Sequence, residues 1–193
     1  KGSVLHTIGW PLNNNAYGGS FFYKLSDNIA SIGFVVGLDY QNPYLNPYEE
    51  FQKFKTHKKI KHILNGGKRV SYGARALNEG GYQSVPKLTF PGGVLIGCAA
   101  GFLNVPKIKG SHTAIKSGML AAEAVFEAVV GDVEANQAMS YEVALRKSWV
   151  WDELYRVRNI RPSFKWGIWG GLIYSAIDTF VFRGRALWTL RHH

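Results

Sequence analysis

The stretch that most narrows the possible folds runs from Pro91-Gly92-Gly93 through Val94-Leu95-Ile96-Gly97 to Gly101, and on to Gly110-Ser111, where a long helical pattern opens. A short, uncharged apolar run ending in glycine has the composition of a strand buried on both faces. From His112 to Val130 apolar residues recur at helical spacing. Ile115, Met119, Ala122, Val125 or Phe126 and Val129 fall on one face, and Gly131-Asp132 is the stop. Gly118, Ala121 and Ala122 imply close packing of this helix. A strand that hands a glycine-rich loop to a helix N-terminus leaves backbone N–H groups free beside a positive dipole end. Such a place suits an anionic ligand oxygen.

One group with such an oxygen is a flavin, whose N1 and O2 edge gains negative charge on reduction. Ordinary α/β packing builds the same strand, loop and helix, so the pattern alone leaves both readings open. No G-x-G-x-x-G follows a strand in the 193 residues, and the fingerprint that holds a dinucleotide pyrophosphate is missing.

The first third reads as sheet. Val4 to Gly9, Ser20 to Leu25 and Ile29 to Leu38 are rich in β-branched and aromatic residues, and Ser26-Asp27-Asn28 joins the last two as a hairpin. Gly18-Gly19 marks a bulge or a close approach to the backbone. After the loop Tyr40 to Pro47, the residues Pro47, Glu49, Glu50, Phe51 and Phe54 start a short helix, which His57 to Leu64 either continue or follow as a second, basic one. Further helical patterns run from Ala135 to Val150 and, beyond the basic Arg156, Arg158 and Arg161, from Trp166 to Phe182.

With 46% apolar and 19% charged residues the chain can build one core, with a small satellite at most. The net charge of +10 suits nucleic acid, an anionic membrane or an acidic protein, and does not choose among them. Cys98 is the single cysteine, which excludes a disulfide framework and a cysteine-held metal or iron-sulfur cluster made by this chain alone. His6, His57, His62 and His112 have no metal-ligand spacing, so no metal site is expected. The opening Lys1-Gly2-Ser3-Val4 has neither an initiator Met nor a signal core and reads as the start of a fragment.

Several runs resemble the electron transfer flavoprotein-ubiquinone oxidoreductase family. They include His6-Thr7-Ile8-Gly9-Trp10-Pro11-Leu12, Tyr17-Gly18-Gly19-Ser20-Phe21, Val36 to Tyr44, Gly66-Gly67-Lys68-Arg69, Tyr72 to Gly81, Pro86 to Gly93, Asn104 to Gly110, Ser148 to Trp151, Val157 to Pro162 and Trp188-Thr189-Leu190. The resemblance covers essentially the whole chain, in order, and corresponds to the middle and later part of the family. It implies an α+β protein: a quinone-binding domain on an antiparallel sheet (1–85), the second half of a glutathione-reductase-like FAD-binding domain (86–132), and a helical segment with a membrane-surface helix (133–193). It further implies electron transfer from reduced electron transfer flavoprotein through FAD to ubiquinone. The family's four-iron, four-sulfur cluster would lie outside this chain. The expected location is peripheral, on the mitochondrial inner membrane (matrix side) or the bacterial cytoplasmic membrane.

Carried over position by position, the resemblance puts the second FAD segment on Gly97, Cys98, Gly101, Pro106, Gly110, Ser111 and Thr113. Cys98 stands where many related flavoproteins have an acidic ribityl ligand, and reads as a small buried residue. Ser111 and Thr113 each offer a hydroxyl to the pyrimidine edge, with Thr113 favoured. Arg75 and Arg69 are candidates for a positive charge near the flavin or for surface ion pairs. Gly18 and Gly19 match the quinone contacts, with Phe21, Phe22, Tyr17 and Trp10 as lining, because a residue without Cβ lets a ring approach its carbonyl.

The segment Trp166 to Phe182 is shorter than the about 20 residues of a span and is interrupted by Asp178 and by Gly167, Gly170 and Gly171. It suits a membrane surface instead. Trp166, Trp169, Tyr174, Ile168, Leu172, Ile173, Ile177 and Phe180 would meet lipid, with Arg161, Lys165, Arg183 and Arg185 at the head groups. A buried core helix is the other reading. Two further functions compete: a non-catalytic basic module using Lys53, Lys55, Lys58, Lys59, Lys61, Lys68 and Arg69, and a related flavin hydroxylase or geranylgeranyl reductase. The second should lack the Tyr17 to Phe21 and Asp39 to Tyr44 runs together.

Overall fold

The computed structural model describes residues 2–131 and 138–192. Its contacts divide the chain into two compact units, Lys1–Gly73 with Phe164–Gly170, and Ala74–Ser163 with Gly171–His193. Helices mixed with small antiparallel sheets make the class α+β.

In the first unit, β1 (Val4–Ile8), β2 (Gly18–Lys24) and β3 (Ala30–Val36) form an antiparallel sheet in that order. Asp27 and Asn28 both have φ 57°, and Ile29 N–H donates to the Ser26 carbonyl at 3.0 Å, so the β2–β3 hairpin closes with the turn that matches strand twist. Side chains alternate along a strand, and the register therefore sets Gly18, Ser20 and Phe22 on one face and Gly19, Phe21 and Tyr23 on the other. The helix α1 (Pro47–Thr56) covers the first face, with the Phe54 ring 5.4 Å from Phe34 and with Phe22, Leu12 and Ala16 buried. Asn46 caps α1 by accepting from the Tyr48 amide. His57 then breaks the helical path, making α2 (Lys58–Leu64) a separate basic helix anchored by buried Ile60. Phe164–Gly170 joins this unit through Ile168 N–H, which donates to Asn14, and through Phe164, packed edge-on against Tyr17.

The second unit holds β4 (Thr89–Phe90), β5 (Gly93–Val94), α3 (Ser111–Val130), α4 (Met139–Arg146), α5 (Trp149–Arg156) and α6 (Ile160–Ser163). A further helix, α7 (Gly167–Ile177), has its first residues in the first unit and the rest in the second. The core of the second unit is built from Leu88, Phe102, Leu120, Ala121, Ala124, Tyr141, Leu145, Val150 and Leu154.

Four expectations are corrected here. The run Val94 to Gly97 is not a strand buried on both faces. β4 and β5 form a two-residue hairpin, Ile96 is 41% exposed, and the chain turns at Gly97 (φ 57°) into a 3-10 turn, Gly97–Ala100. With a single neighbouring strand, these residues are not enclosed from both sides.

The face of α3 is also reversed. Thr113, Ser117, Leu120, Ala121 and Ala124 point inward, whereas Ile115, Met119, Val125, Phe126 and Val129 are exposed, Phe126 at 68%. Small side chains let α3 approach the Gly97 turn so closely that a Cβ on Gly97 would sit 3.1 Å from that of Ala114. The larger residues are left on the outside.

The helix expected from Ala135 to Val150 begins at residues that lie outside the described ones. Its remainder is two helices, because Ser148 turns extended (φ −85°, ψ 159°) and its Oγ donates to the Leu145 carbonyl, closing α4 before α5 starts.

Finally, Trp166 to Phe182 is not uniformly helical. It opens on the 3-10 turn Phe164–Trp166 and ends in the wider π turn Asp178–Phe182. Beyond that turn, buried Arg158 fixes the path of the chain. Its guanidinium donates to the carbonyls of Tyr155, Gly184, Ala186 and Trp188 and to Thr189 Oγ1, and Asn159 bonds Trp188 and Leu190.

Candidate functional site

On the outward face of the first sheet, the register aligns Ile8, Gly19 and Val35 across the three strands, with His6, Phe21 and Gly33 in the next row. Ile8 is exposed, and Phe21 lies flat across Gly33 and stacks on Tyr23 at 5.1 Å. This face is apolar and open within its unit. Phe22, expected beside Phe21, is buried on the opposite face. Tyr17 is engaged with Phe164, and Trp10 is tilted against His57 at 5.2 Å. Of the four expected lining residues, the sheet therefore presents only Phe21 on the open face beside Gly19.

The glycine pair lies in regular pairing, with no bulge. A Cβ on Gly19 would collide with the Thr7 carbonyl oxygen, and one on Gly18 with that of Val35. The missing side chains are thus required by the sheet itself. The Gly18 carbonyl also accepts the Gly9 amide at 3.1 Å, which occupies part of its acceptor capacity.

The second set of candidates gathers around the N-terminus of α3. Gly101 adopts a left-handed conformation (φ 84°), and Phe102 N–H returns to the Gly97 carbonyl. Ser117 Oγ accepts the Gly97 amide at 3.0 Å. The loop from Asn104 to Lys109 closes on itself through paired backbone bonds between those two residues, and leads to Gly110, which caps α3 without any side chain to occupy its first amides. Pro106 and Ser111 are exposed and Cys98 is half-buried. Thr113 is the expectation the geometry alters. It is fully buried, and its hydroxyl donates to the Phe102 carbonyl at 2.7 Å or the Gly110 carbonyl at 2.9 Å. Its proton ties the loop to the helix rather than pointing outward. Arg75 is exposed, Arg69 lies over Tyr72 at 5.3 Å, and Asn78 stands nearest to Gly101.

Sequence reasoning missed Glu153. Its carboxylate accepts from Asn104 Nδ2 (2.8 Å), Lys107 Nζ (3.0 Å) and His112 Nε2 (2.7 Å), joining α5 to the loop and to the first turn of α3. Burial works to raise its pKa, but the three hydrogen bonds override that and hold it down to about 2. Nothing local signalled this role, since its partners lie more than forty residues away.

A third feature is the exposed apolar stripe of α7 and the π turn. Trp169 (72% exposed), Ile173, Ile177 and Phe180 follow helical spacing, with Val181 and Leu187 exposed beyond them. Ile168, expected outside, is buried, and Arg161 is turned inward, with its guanidinium 4.0 Å from Glu79. Asp178 is 1% exposed, so the charge that interrupts the apolar run faces inward. There its pKa is raised by burial against the opposing field of Arg158. Among the described residues no helix is long and apolar enough to cross a membrane.

Residues 1–77, which carry β1, β2 and β3, match the family model described as ETF-QO, ubiquinone-binding. The match concerns quinone binding over the first part of the chain, and the sequence comparisons are more particular. The chain is 58% identical over 200 aligned positions to the electron transfer flavoprotein-ubiquinone oxidoreductase, mitochondrial, of Sus scrofa, and 57% identical over 191 to that of Oryza sativa subsp. japonica. It is 54% identical over 211 to the probable mitochondrial counterpart of Saccharomyces cerevisiae. Each alignment takes in 99% of this chain, and the chain spans about a third of the length of these relatives, 32% to 33%.

Proposed function

We propose that this chain is the quinone-binding region and part of the flavin cradle of an enzyme that passes electrons from reduced electron transfer flavoprotein to ubiquinone at a membrane surface. The observation that carries the reading is the match of residues 1–77 to a ubiquinone-binding family, coincident with a sheet whose outward face is apolar and open. A quinone head group needs apolar ground and a few backbone acceptors for the hydroxyls that form as two electrons and two protons are delivered. Ile8, Phe21 and Val35 supply the ground, and the Gly18 and Gly19 carbonyls, already paired in the sheet, would offer their second lone pairs at its end.

FAD, when bound, would relay electrons between the partner flavoprotein and the quinone. The residues that would hold it are the backbone of Gly97, Cys98, Gly101, Pro106 and Gly110 and the uncapped first turn of α3, with Ser111 and Arg75 as polar neighbours. They fit the electron-rich edge of a flavin, because Gly110 sets no capping side chain over the first amides of α3 and the helix dipole favours negative charge there. They bring no carboxylate for the ribityl chain. Thr113 holds the loop, and does not itself meet the flavin. Cys98 alone does not fit an iron-sulfur cluster, and such a group would need ligands this chain does not supply.

The stripe of Ile173, Ile177 and Phe180, with Arg183 and Arg185 exposed further along the same unit, supports peripheral attachment to an anionic membrane. The same attachment gives a bilayer-soluble quinone its route.

In the full-length enzyme, Ile8→Gln should slow ubiquinone reduction and leave flavin reduction by the partner flavoprotein at the wild-type rate. Unchanged quinone turnover in a folded Ile8→Gln enzyme would remove this sheet face from the site.

A further inference from the structure

We propose that Glu153 is the positioning residue that fixes the Asn104–Gly110 loop and the first turn of α3 as one rigid rim. The inference rests on the reading of that rim as the flavin cradle. Glu153 sits on α5, whose neighbouring residues Val150 and Leu154 are fully buried in the core, so its own backbone is anchored. From there one carboxylate reaches two separate pieces of chain. Oε1 accepts from Asn104 and from His112, and Oε2 accepts from Lys107. Asn104 is itself fully buried, bonds the Lys107 amide through Oδ1 and pairs with Lys109 through its backbone, so a constraint on its side chain is a constraint on the whole loop. His112 is held from a second side, stacked on Trp149 one turn before Glu153, with ring centroids 5.7 Å apart and planes within 6°.

An isolated surface ion pair would deserve no such role, because its two charges remain solvated and mobile. Here the carboxylate is only 20% exposed and meets three donors from three directions, an arrangement that specifies position as well as charge. The segments it fixes run into Gly110, Ser111 and His112, at the uncapped start of α3 whose amides would contact the flavin. A site built on loops needs supporting contacts of this kind to hold its donors in place.

The test uses the full-length protein with Glu153→Gln and, separately, Lys107→Met, which removes one arm without uncovering the Asn104 amide. Hydrogen exchange is followed across residues 101–113 in the flavin-free protein, and FAD affinity is measured by titration. Glu153→Gln should cut exchange protection in the loop and weaken FAD by about tenfold, the scale of one lost charge-assisted hydrogen bond, with Lys107→Met intermediate in both. Wild-type protection in a folded Glu153→Gln protein overturns the clamp. A loosened loop with unchanged FAD affinity overturns instead the reading of the rim as flavin cradle. If Glu153→Gln unfolds globally while Lys107→Met leaves the loop as protected as wild type, Glu153 is a stabilising residue only, and the proposal fails.

Discussion

Thr113 Oγ1 lies 2.7 Å from the Phe102 carbonyl oxygen, deep in the second unit, and joins the turn that follows β5 to the helix that receives it. The bond makes a distinction that the hydroxyl alone does not. Thr113→Ser keeps the donor and should behave as wild type. Thr113→Val keeps the shape but leaves the carbonyl unpaired, and should lower stability by about 1–3 kcal/mol in denaturant titrations. A flavin spectrum that changes in the full-length Thr113→Val enzyme with no loss of stability would mean a direct contact, against the geometry.

Gly19→Ala, which on sequence grounds should block the quinone alone, is expected to act otherwise. The new methyl meets the Thr7 carbonyl oxygen, so β1 and β2 must separate. The cost should be about 1–3 kcal/mol, with quinone reduction and partner-driven flavin reduction falling together. Thermal unfolding alongside both assays checks this, and a selective loss of quinone reduction at unchanged melting temperature would refute it.

The Glu153 carboxylate sets an acid limit. Its pKa lies near 4.5 unfolded and about 2 folded, so its contribution is complete above the unfolded value and disappears as pH falls towards the folded one. Its donors are Asn104, Lys107 and His112. Urea midpoints between about pH 3 and pH 6 should therefore decline more steeply for wild type than for Glu153→Gln. Parallel pH profiles would exclude Glu153 as the source of the slope.

Ile173→Glu combined with Ile177→Glu should release the full-length protein from anionic liposomes in a flotation assay, since both side chains are exposed on the α7 stripe. Retention of a folded double variant on the liposomes would assign membrane contact elsewhere. Ile168 is unsuitable for the same test, because a charge there would enter the core.

The strands of the first unit were legible because their turn chemistry is local: Asp27 and Asn28 adopt the positive φ that such residues tolerate. The orientation of α3 was not legible. Ile115, Met119 and Phe126 dominate any measure of apolarity, whereas close packing selected Ala121 and Ala124. The candidate loop could be placed from its glycines, yet neither its anchor at Glu153 nor the inward turn of the Thr113 hydroxyl has a signature in sequence spacing. Both depend on contacts between segments distant along the chain.

The knot around Arg158 sets a limit on where the polypeptide can be shortened. Four of the five acceptors of its guanidinium come from Gly184, Ala186, Trp188 and Thr189, and only the Tyr155 carbonyl comes from earlier in the chain. A truncation before Gly184 would remove a segment that looks like an expendable tail and take four of its five acceptors from the buried Arg158 guanidinium. The smallest piece able to fold as this unit therefore extends at least to Leu190, whose amide closes the same knot through Asn159.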